Sequence, residues 1–513
     1  MLGFRRTPAN KPDPARPRVL PRSADVVVAG GGIAGIAAAT VLAERGARVT
    51  LLEPENFLGG RAGAWPDTLR DGTRFAMERG FHAFFRQYYN LRALLRRVDP
   101  DHSRLIPVAD YPLLGPNGLR ESFANLPKLP ILNLVALVRR STTMSLRDAL
   151  RVDDTLGRAM MAYDPDATYA KYDRLTAREF LDRLGFPPRA RQMLFDVFAH
   201  SFFNPEDEFS AAELMMMFHF YFLGNPEGIV FDVVDGPFGA RLWQPMQHHL
   251  ELRGAKIRLG CALEHVARTP NGRFELTCSS GQPRTLHADA LVLAAHIPGL
   301  QQIVAASPGL GDPPWRARIA AQTVTSPFVV WRLWLDTPTA PGRAPFVGTT
   351  GLGLLDNISL YHLFEDESRQ WAARHRGAVV ELHAYALPPA TSAETLKRDM
   401  LATLHELYPE TRPAKILDER LLIHADCPAF RPGTAAQRPR VTTSTPGLVL
   451  AGDHIHTPFP SALMERAAST GFLAANHLLH QWGAAEEPLF SVVPRGVLAR
   501  LIHRDFYKNP TGS

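Results

Sequence analysis

The sequence predicts an α/β fold in which one domain is assembled from separated segments of the chain and a second, α+β domain fills the intervals. Three stretches carry this prediction. Residues 25–53 have the pattern strand, glycine turn, helix and strand, residues 289–296 have the apolar pattern of a buried strand, and residues 448–453 form a last buried strand. A helix at about 461–480 follows that last strand. Buried strands that alternate with helices are typical of a parallel sheet, so we expect the three stretches to share one domain.

The domain boundaries are predicted from shifts in this pattern. The first domain takes residues 24–95, 236–300 and 440–480, and the second takes residues 96–235 and 301–439. The second domain is expected to begin mainly helical and then to turn to strands, since strand-like apolar runs replace the helical spacing. Its helical segments are predicted at 133–160, 176–184 and 189–222, its strand-like runs at 325–336, 345–363 and 378–387, and an amphipathic helix at 392–407.

Both ends of the chain are predicted to lie outside these domains. Residues 1–23 contain six basic residues against Asp13 alone, with five prolines and no apolar stretch, and are predicted to be a disordered basic arm. Residues 481–513 are predicted to be an amphipathic tail, because apolar side chains recur at helical spacing beside cations in residues 495–508.

Composition narrows the class of protein. Of 513 residues, 45% are hydrophobic and 21% are charged, the balance of a globular protein. The net charge of +6 is carried largely by the first 23 residues, so the body of the chain is nearly neutral and a nucleic-acid partner is not expected. Three cysteines give no disulfide framework and no zinc spacing, which predicts a cytoplasmic protein without a metal. The longest apolar run, Leu214–Leu223, is too short to span a bilayer.

The glycines of the first turn have the spacing of a dinucleotide-binding loop, Gly-x-Gly-x-x-Gly, between a strand and a helix. Such a loop needs its first glycine for a tight turn, its second for close approach of a pyrophosphate, and its third for packing of the helix on the strand. Glu53, at the end of the second strand, is placed to bind ribose hydroxyls. Cofactor contacts are therefore predicted at Gly30, Gly31, Gly32, Ala34, Gly35 and Glu53.

Two further motifs indicate the kind of dinucleotide. Residues 53–61 resemble the E-x-x-x-x-x-G-G-R signature of the FAD-dependent amine oxidase and carotenoid desaturase superfamily, and residues 448–471 resemble its closing motif. The resemblance implies a Rossmann-type FAD-binding domain with noncovalently bound FAD. It also implies that the arginine of the first motif backs the pyrophosphate and that the aspartate of the closing motif holds the ribityl chain. The implied contacts are Gly60, Arg61, Gly452, Asp453 and Met464.

The substrate region is apolar and aromatic. Amine oxidases of the superfamily carry an active-site lysine and an aromatic sandwich near the closing motif. Here residues 452–465 hold neither Tyr nor Trp, and the second-half substrate region offers only Lys397 and Lys415, so an amine substrate is disfavoured. One helical stretch is crowded with side chains that suit either an ordinary core or a tunnel for a long hydrocarbon. They are Phe195, Phe198, Phe202, Phe203, Met215, Met216, Met217, Phe218, Phe220, Tyr221 and Phe222.

Three further blocks, residues 77–92, 110–112 and 123–127, resemble the carotenoid ring-aromatising synthases of the isorenieratene (φ-ring) type. With the flavin motifs, this resemblance spans roughly residues 24–480. It implies a carotenoid substrate with a cyclic β-ionone end group, such as β-carotene, whose ring is desaturated while one geminal methyl group moves to the neighbouring carbon. Such a site needs oxidised FAD as hydride acceptor, aromatic faces beside a transient cation, and a base.

Three histidines are predicted as candidate bases, because imidazole titrates near neutral pH. They are His82, within residues 77–92, and His454 and His456, which come just after the aspartate of the closing motif. For each of them a structural role is the alternative. Glu78 is a further candidate, although a neighbouring arginine can simply pair with it.

Other functions stay open at this point. A linear carotene or phytoene desaturase shares the fold and both flavin motifs, a χ-ring synthase moves the methyl group further, and a flavin-fold pigment carrier needs no reaction. Since a carotene dissolves in the bilayer, we expect a cytoplasmic protein that attaches to the membrane surface through its two basic ends. The sequence indicates no oligomeric state.

Overall fold

The computed structural model describes residues 6–149, 153–279, 283–388, 390–496 and 498–499. A five-stranded parallel sheet forms the centre of the first domain. Its strands, in spatial order, are Lys256–Arg258, Arg48–Leu52, Asp25–Ala29, Ala290–Leu293 and Leu448–Leu450. All five come from the three segments predicted for that domain, and the predicted α/β fold is confirmed.

Two helices beside this sheet pack against each other. The first helix (Ile33–Glu44) follows the glycine turn, and the closing helix (Leu463–Gln481) follows the last strand. Where they cross, a Cβ atom on Gly471 would lie 2.3 Å from the carbonyl oxygen of Ala34, so the close approach requires glycine. The nearby segments add the helices Tyr89–Leu95, Gln244–Glu251, Ile297–Ala306 and Pro313–Ala320, and an antiparallel sheet of Ala262–Arg268, Phe274–Ser279 and Pro283–Ala288.

A seven-stranded mixed sheet, here called the large sheet, dominates the second domain. Its strands, in spatial order, are Ile416–His424, Phe328–Leu335, Ala378–Ala384, Asn357–Leu360, Phe346–Thr349, Leu113–Leu114 and Arg120–Glu121. The helix Ala393–Leu407 buries Leu396, Met400 and Leu404 against apolar side chains of this sheet. Two smaller sheets join Phe84–Phe85, Phe231–Val234 and Leu105–Pro107, and Ala64–Thr68 with Arg74–Glu78.

The helices of the second domain are shorter than the sequence pattern predicts. The segment predicted at 189–222 is interrupted by a loop over residues 201–210, where Phe203 has a positive φ and Pro205 follows. Besides Ala393–Leu407, its described helices include Leu132–Arg140, Leu146–Ala149, Asp154–Met161, Pro165–Tyr172, Ala177–Leu184, Pro188–Arg191, Val197–His200, Ala211–Phe218 and Asp366–His375, with π-helical turns at Gln192–Asp196 and His219–Leu223. A further π-helical turn, Gly239–Trp243, lies in a segment of the first domain.

The prediction of a disordered arm over residues 1–23 is wrong for residues 6–23, which pack on the body of the protein. Thr7–Pro8 pairs as a short antiparallel strand with Phe490–Ser491, and Leu20 is buried. Edge pairing of this kind holds a proline-rich segment without any apolar period, and for that reason the sequence pattern does not reveal it.

The tail predicted over residues 481–513 also begins inside the fold. Leu489 is buried, and the Arg495 guanidinium lies 2.6 Å from a carboxylate oxygen of Asp164. Most of the predicted amphipathic helix lies outside the described residues and stays a prediction. None of the helices in the described part of the chain combines the length and the hydropathy that a bilayer-spanning segment requires.

Candidate active site

The glycine turn has the geometry that a dinucleotide-binding loop requires. Gly30 has a φ of +116°, and a Cβ atom there would lie 2.5 Å from the carbonyl oxygen of Ala294. At Gly35 a Cβ atom would lie 1.8 Å from the carbonyl oxygen of Gly30. Gly32 differs, because the nearest heavy atom beyond its chain neighbours would be 3.9 Å from a Cβ atom. The first and third glycines thus serve the packing of the chain itself, and the second leaves room for a ligand.

The first helix presents its amino terminus to this room. Its N-cap residue is Gly32, no side chain caps its N–H groups, and its first turn carries no acidic residue. Beside it, Glu53 accepts hydrogen bonds from the backbone nitrogens of Gly31 at 2.6 Å and Glu55 at 2.9 Å. Burial raises the pKa of Glu53 above its usual value, although both N–H groups favour the carboxylate. An uncapped helix terminus suits a pyrophosphate, and the carboxylate beside it suits a ribose.

The second glycine motif, residues 59–61, lies against the glycine turn. A Cβ atom on Gly60 would lie 3.0 Å from the Cα atom of Gly32, so the two backbones come into contact. Arg61 then reaches across to the closing motif, where its guanidinium donates to Oδ1 of Asp453 at 2.6 Å. The two motifs that resemble flavoenzyme signatures therefore meet at one place.

Asp453 is held as a carboxylate. Burial alone would raise its pKa, but the neighbouring Arg61 and His454 more than offset burial, and the pKa lies well below its usual value. His454 packs beside it, with Nδ1 3.9 Å from Oδ1 of Asp453. Nε2 of His454 is buried and has no hydrogen-bond partner among the described residues, so it is available to a bound ligand.

One cavity of about 940 Å³ joins these motifs to the second domain. We call the part beside the motifs the flavin end. The predicted cofactor residues that line it are Gly30, Gly32, Ala34, Glu53, Gly60, Arg61, Gly452, Asp453 and Met464. Gly31 and Gly35 do not line the cavity, because each faces the protein itself: a Cβ atom on Gly31 would lie 2.6 Å from the side chain of Leu58.

The rest of the cavity lining is rich in aromatic residues, and we call this part the aromatic end. The sequence left open whether the crowded helical stretch lines a cavity or packs in the core, and its residues do both. Its residues that line the cavity are Phe198, Phe202, Phe203, Tyr221 and Phe222, whereas Phe195, Met215, Met216, Met217, Phe218 and Phe220 pack in the core. Other elements add Phe81, Phe85, Tyr88, Tyr111, Phe123, Phe231, Phe328, Phe346 and Tyr385. The lining of the cavity therefore comes from segments predicted for both domains.

Two of the three candidate histidines line the cavity. His82 is at the wall, with Nδ1 2.8 Å from the carbonyl oxygen of Gly80 and its ring edge-on to Phe238. Burial lowers the pKa of His82 to about 4, which makes it a weak base. His454 lines the flavin end, next to Asp453.

The structure does not bring the other two candidates to the cavity lining. His456 follows the turn after the closing motif, where its backbone nitrogen bonds the carbonyl oxygen of Pro439 at 2.8 Å, and burial together with the charge of Arg438 lowers its pKa to about 4. Glu78 is buried behind the wall and accepts from the backbone nitrogen of Phe238 at 2.8 Å. Burial raises the pKa of Glu78 to about 8.

A polar chain in the wall of the cavity was missed by the sequence analysis. It runs from Arg332 through Glu381 and His383 to Tyr385 and Asn357. The last three line the cavity, and the first two are buried behind them. A signal was present in the sequence, because three of these polar residues alternate with apolar ones in a predicted strand and so share one face.

The flavin end fits FAD. It combines an open position at Gly32, an uncapped helix terminus, the carboxylate of Glu53 and the unpaired Nε2 of His454. The open position and the helix terminus match a pyrophosphate, the carboxylate matches a ribose, and the imidazole nitrogen matches a polar ring. Asp453 is free to hold the ribityl hydroxyls with its remaining lone pairs.

Comparison with known proteins identifies the family. A model of the flavin-containing amine oxidoreductases matches residues 33–479. The chain belongs to this family. It is an FAD-dependent oxidoreductase, and the cofactor predicted from the sequence is confirmed.

Relatives within this flavoenzyme family carry carotenoid names. The chain is 48% identical to a carotenoid φ-ring synthase of Streptomyces griseus over 98% of its own length and 96% of the relative. A carotenoid φ-ring synthase of Chlorobaculum tepidum is 27% identical over 92% and 91%. A 15-cis-phytoene desaturase of Narcissus pseudonarcissus is 24% identical over 89% and 80%. The resemblance to ring-aromatising synthases is thus confirmed.

A solved flavoenzyme of the same fold acts on an amine. A putrescine oxidase variant superposes with a TM-score of 0.65 at 17% identity, over 89% of this chain and 99% of that one. At this identity the likeness concerns the fold alone. In the described part of this chain no lysine lines the cavity: Lys397 instead pairs with Glu419 at 2.8 Å.

Proposed function

We propose that the protein desaturates the β-ionone ring of a carotenoid and moves one methyl group by a 1,2-shift, giving an aromatic φ-type end group, for example in the conversion of β-carotene to isorenieratene. The observation that carries the proposal is the continuous cavity, which joins a complete FAD site to an aromatic end. The similarity to two named φ-ring synthases supports the same reaction.

The cavity suits a hydrocarbon that must react at one end. Bound FAD supplies the hydride acceptor for each desaturation. The aromatic side chains exclude water and give the ring no competing polar partner, and their faces stabilise positive charge on the ring while the methyl group moves. The edge-on pair Phe85 and Tyr221, with ring centres 4.9 Å apart, is one such surface.

The alternatives differ in substrate or product. A linear carotene desaturase needs no cyclic end group, and the identity to the phytoene desaturase is half that to the first φ-ring synthase. A χ-ring synthase gives a different methyl pattern on the aromatic ring. A pigment carrier binds carotenoid without reducing its flavin.

The decisive experiment is expression in a host that accumulates β-carotene, with the product identified by mass and NMR. We expect an aromatic end group with the φ pattern. A lycopene-accumulating host is the control, and desaturation there without any change to β-carotene would favour the linear alternative. Anaerobic addition of β-carotene to the purified protein should bleach the flavin, and a stable yellow spectrum would favour the carrier.

We propose further that the protein works at a membrane surface, since its substrate dissolves in the bilayer. The two basic ends predicted for membrane attachment stay a prediction. In the described part of the arm, Arg16 already donates to the carbonyl oxygen of His480 at 2.9 Å, and residues 500–513 lie outside the described residues.

A further candidate docking surface is the outer side of the helix Leu132–Arg140 and the residues just before it, here called the docking helix. Leu129, Leu132 and Val135 are exposed by 51%, 52% and 46%, an uncommon grouping of apolar side chains. Exposed cations flank them at Lys128, Arg139, Arg140 and Arg147. A half-apolar, half-cationic surface of this kind matches the interface of an anionic bilayer, where each cation contributes about 1 kcal/mol.

The inner side of the docking helix covers the aromatic end. Leu137 is buried in one cluster with Phe123 and Ile229, which both line the cavity. Nδ2 of Asn133 donates to the backbone of the cavity residue Phe222 at 2.9 Å. We infer that a carotenoid leaving the bilayer beneath this helix enters the cavity at this wall.

A further inference from the structure

We infer that Tyr385, His383 and Glu381 form the relay that accepts a ring proton during aromatisation, with Tyr385 facing the substrate. The inference deepens the proposed function and rests on it. It is carried by the register of the large sheet, the direction of the hydrogen bonds and the position of Tyr385 in the cavity.

The sheet register brings the relay together. Glu381 and His383 lie on one strand and Tyr385 follows directly, so the two-residue period of a strand puts all three on one side. Across the sheet, Glu381 pairs with Arg332, and His383 pairs with Asn357. The neighbouring strands thus supply a cation behind the relay and an amide at its cavity end.

The hydrogen bonds run in one direction. Glu381 accepts from Nε of Arg332 at 2.8 Å through Oε2, and its Oε1 is 2.7 Å from Nε2 of His383. Because a carboxylate only accepts, Nε2 carries a hydrogen, and in the Nε2–H tautomer of an imidazole Nδ1 is the acceptor. Nδ1 is 2.7 Å from the hydroxyl of Tyr385, whose oxygen accepts from Nδ2 of Asn357 at 2.8 Å. The Tyr385 proton therefore points to His383, and the oxygen keeps a second lone pair.

Glu381 is ionised in this arrangement. Burial alone would raise its pKa, but the charge of Arg332 and the hydrogen bond from His383 more than offset burial and lower the pKa to about 2. Arg332 is buried over the ring of Tyr361, 3.9 Å from its centre, and has a second carboxyl, Glu78, at 3.7 Å. A fixed carboxylate behind an imidazole stabilises the imidazolium that forms when the imidazole takes up a proton, as in the catalytic triads of hydrolases.

Tyr385 stands where the flavin end meets the aromatic end. Its ring lies edge-on to Phe203, with centres 4.8 Å apart, and both residues line the cavity. Tyr385 also packs on the cluster that contains Cys427, whose thiol contacts Arg61 of the flavin motif. These contacts connect Tyr385 both to an aromatic residue of the cavity and, through Cys427, to the flavin motif.

The histidines predicted from the sequence lack such support. Nδ1 of His82 donates to the carbonyl oxygen of Gly80, and the lowered pKa of His82 leaves it a weak base. His454 is 3.9 Å from Asp453, beyond hydrogen-bond distance, and Asp453 already pairs with Arg61. Of these histidines and His383, His383 is the one joined by a short hydrogen bond to a buried carboxylate.

The step balances in atoms and charge. A ring C–H bond breaks, its proton passes to the Tyr385 oxygen, and the Tyr385 proton passes to Nδ1 of His383. The electron pair of the C–H bond becomes a ring double bond and neutralises the carbon cation left by hydride loss and methyl migration. The two-electron oxidant is the FAD of the proposed function. Glu381 carries the charge that balances the imidazolium, so it is a positioning residue rather than the group that touches the substrate.

The test compares FAD-loaded wild type with Tyr385→Phe, His383→Gln and Glu381→Gln on β-carotene deuterated at its ring methylene positions. We expect all three variants to keep their flavin and to lose about 10²–10⁴-fold in turnover to aromatic product. In a single anaerobic turnover the flavin should still bleach, because hydride loss precedes proton loss. The isotope effect on product formation should rise, since proton loss now limits the rate. Tyr408→Phe, a buried tyrosine of the same domain outside the cavity, is the matched control.

Each outcome bears on one conclusion. If the wild type forms aromatic product and the variants match it in turnover and isotope effect, the relay is overturned while the proposed function stands. If the wild type forms no aromatic product, both fail. If Tyr385→Phe loses its flavin, His383→Gln, which keeps the phenol in place, decides by the same bleaching and isotope measurements. Reduced turnover with an unchanged isotope effect would assign these residues a structural role and overturn the relay.

Discussion

The guanidinium of Arg61 donates to Oδ1 of Asp453 at 2.6 Å, although 392 positions separate the two residues in the sequence. Each belongs to a different flavin motif, and the contact joins the two motifs at the flavin end of the cavity. The charge of Arg61 also helps to keep the buried Asp453 ionised. Retention of the cofactor should therefore depend on this pair as a unit.

Replacing Arg61 by lysine should weaken FAD binding by about 10- to 100-fold, because lysine keeps the charge but loses the planar fork that binds carboxylate and phosphate together. Titration of apoprotein with FAD, followed by flavin fluorescence, measures the change. Arg48→Lys is the matched control, since Arg48 pairs with Asp25 at 2.7 Å near the surface, at the start of two inner strands of the parallel sheet. Equal FAD affinity in the wild type and Arg61→Lys would show that the pair does not contact the cofactor.

Gly32→Leu should abolish flavin retention without unfolding the protein. Gly32 has a φ of −74°, which any residue adopts, and a Cβ atom there meets no heavy atom closer than 3.9 Å beyond its chain neighbours. A leucine side chain would instead fill the place of the pyrophosphate. Gly309→Leu, at an exposed glycine with open space around it, is the control. A full flavin spectrum in purified Gly32→Leu, with a native melting temperature, would contradict the assignment of the loop.

Glu213→Gln should destabilise the protein by about 3–5 kcal/mol at neutral pH, because it leaves two buried cations without their anion. Glu213 is fully buried, 2.6 Å from Arg466 and 3.0 Å from Arg438. Urea unfolding measures the loss. Glu208→Gln removes an exposed pair with Arg431 and should change the free energy of unfolding by less than about 1 kcal/mol.

The ion pairs of Glu213 with Arg438 and Arg466 also predict that stability depends on pH. Burial alone would raise the pKa of Glu213, but Arg438 and Arg466 more than offset burial and lower the pKa to about 2, below the usual 4.5. A lowered pKa stabilises the fold above the unfolded value, and this stabilisation is lost as the pH falls toward the folded value. The difference between wild type and Glu213→Gln should therefore be constant above about pH 5 and shrink between pH 4.5 and 2. A difference that does not change with pH would contradict this account.

The flavin end could be predicted from the sequence because its chemistry is local. Positions 30 and 35 require glycine because a Cβ atom at either would clash with a backbone oxygen. Turns of this kind share these contacts, so the spacing of the glycines is enough to predict them. The arm over residues 6–23 could not be predicted, since a proline-rich strand held at its edge leaves no apolar period. His456 looked like a site residue because it is close in sequence to Asp453, but the chain turns away after the motif.

The relay was missed for a different reason. Glu381, His383 and Tyr385 alternate with apolar residues, and this pattern alone is equally typical of a strand whose polar side faces water. Only the register, which sets Arg332 beside Glu381 and Asn357 beside His383, shows that the polar side is buried. Alternation of polar and apolar residues along one strand does not show which distant strands pair with it. The burial of these three side chains could therefore be seen only in the structure.

Exchange of Leu129, Leu132 and Val135 for serine should weaken attachment to anionic liposomes by at least about tenfold, because three apolar side chains no longer enter the interface. Flotation measures attachment, and the flavin content of the variant should stay that of the wild type. The matched control exchanges Leu252 and Ile423 for serine, since they are exposed by 71% and 47% elsewhere on the surface. High salt should weaken attachment of the wild type, because the flanking cations contribute through charge. Unchanged flotation of the triple variant, with loss of flotation after deletion of residues 500–513, would assign docking to the tail predicted from the sequence and remove it from the docking helix.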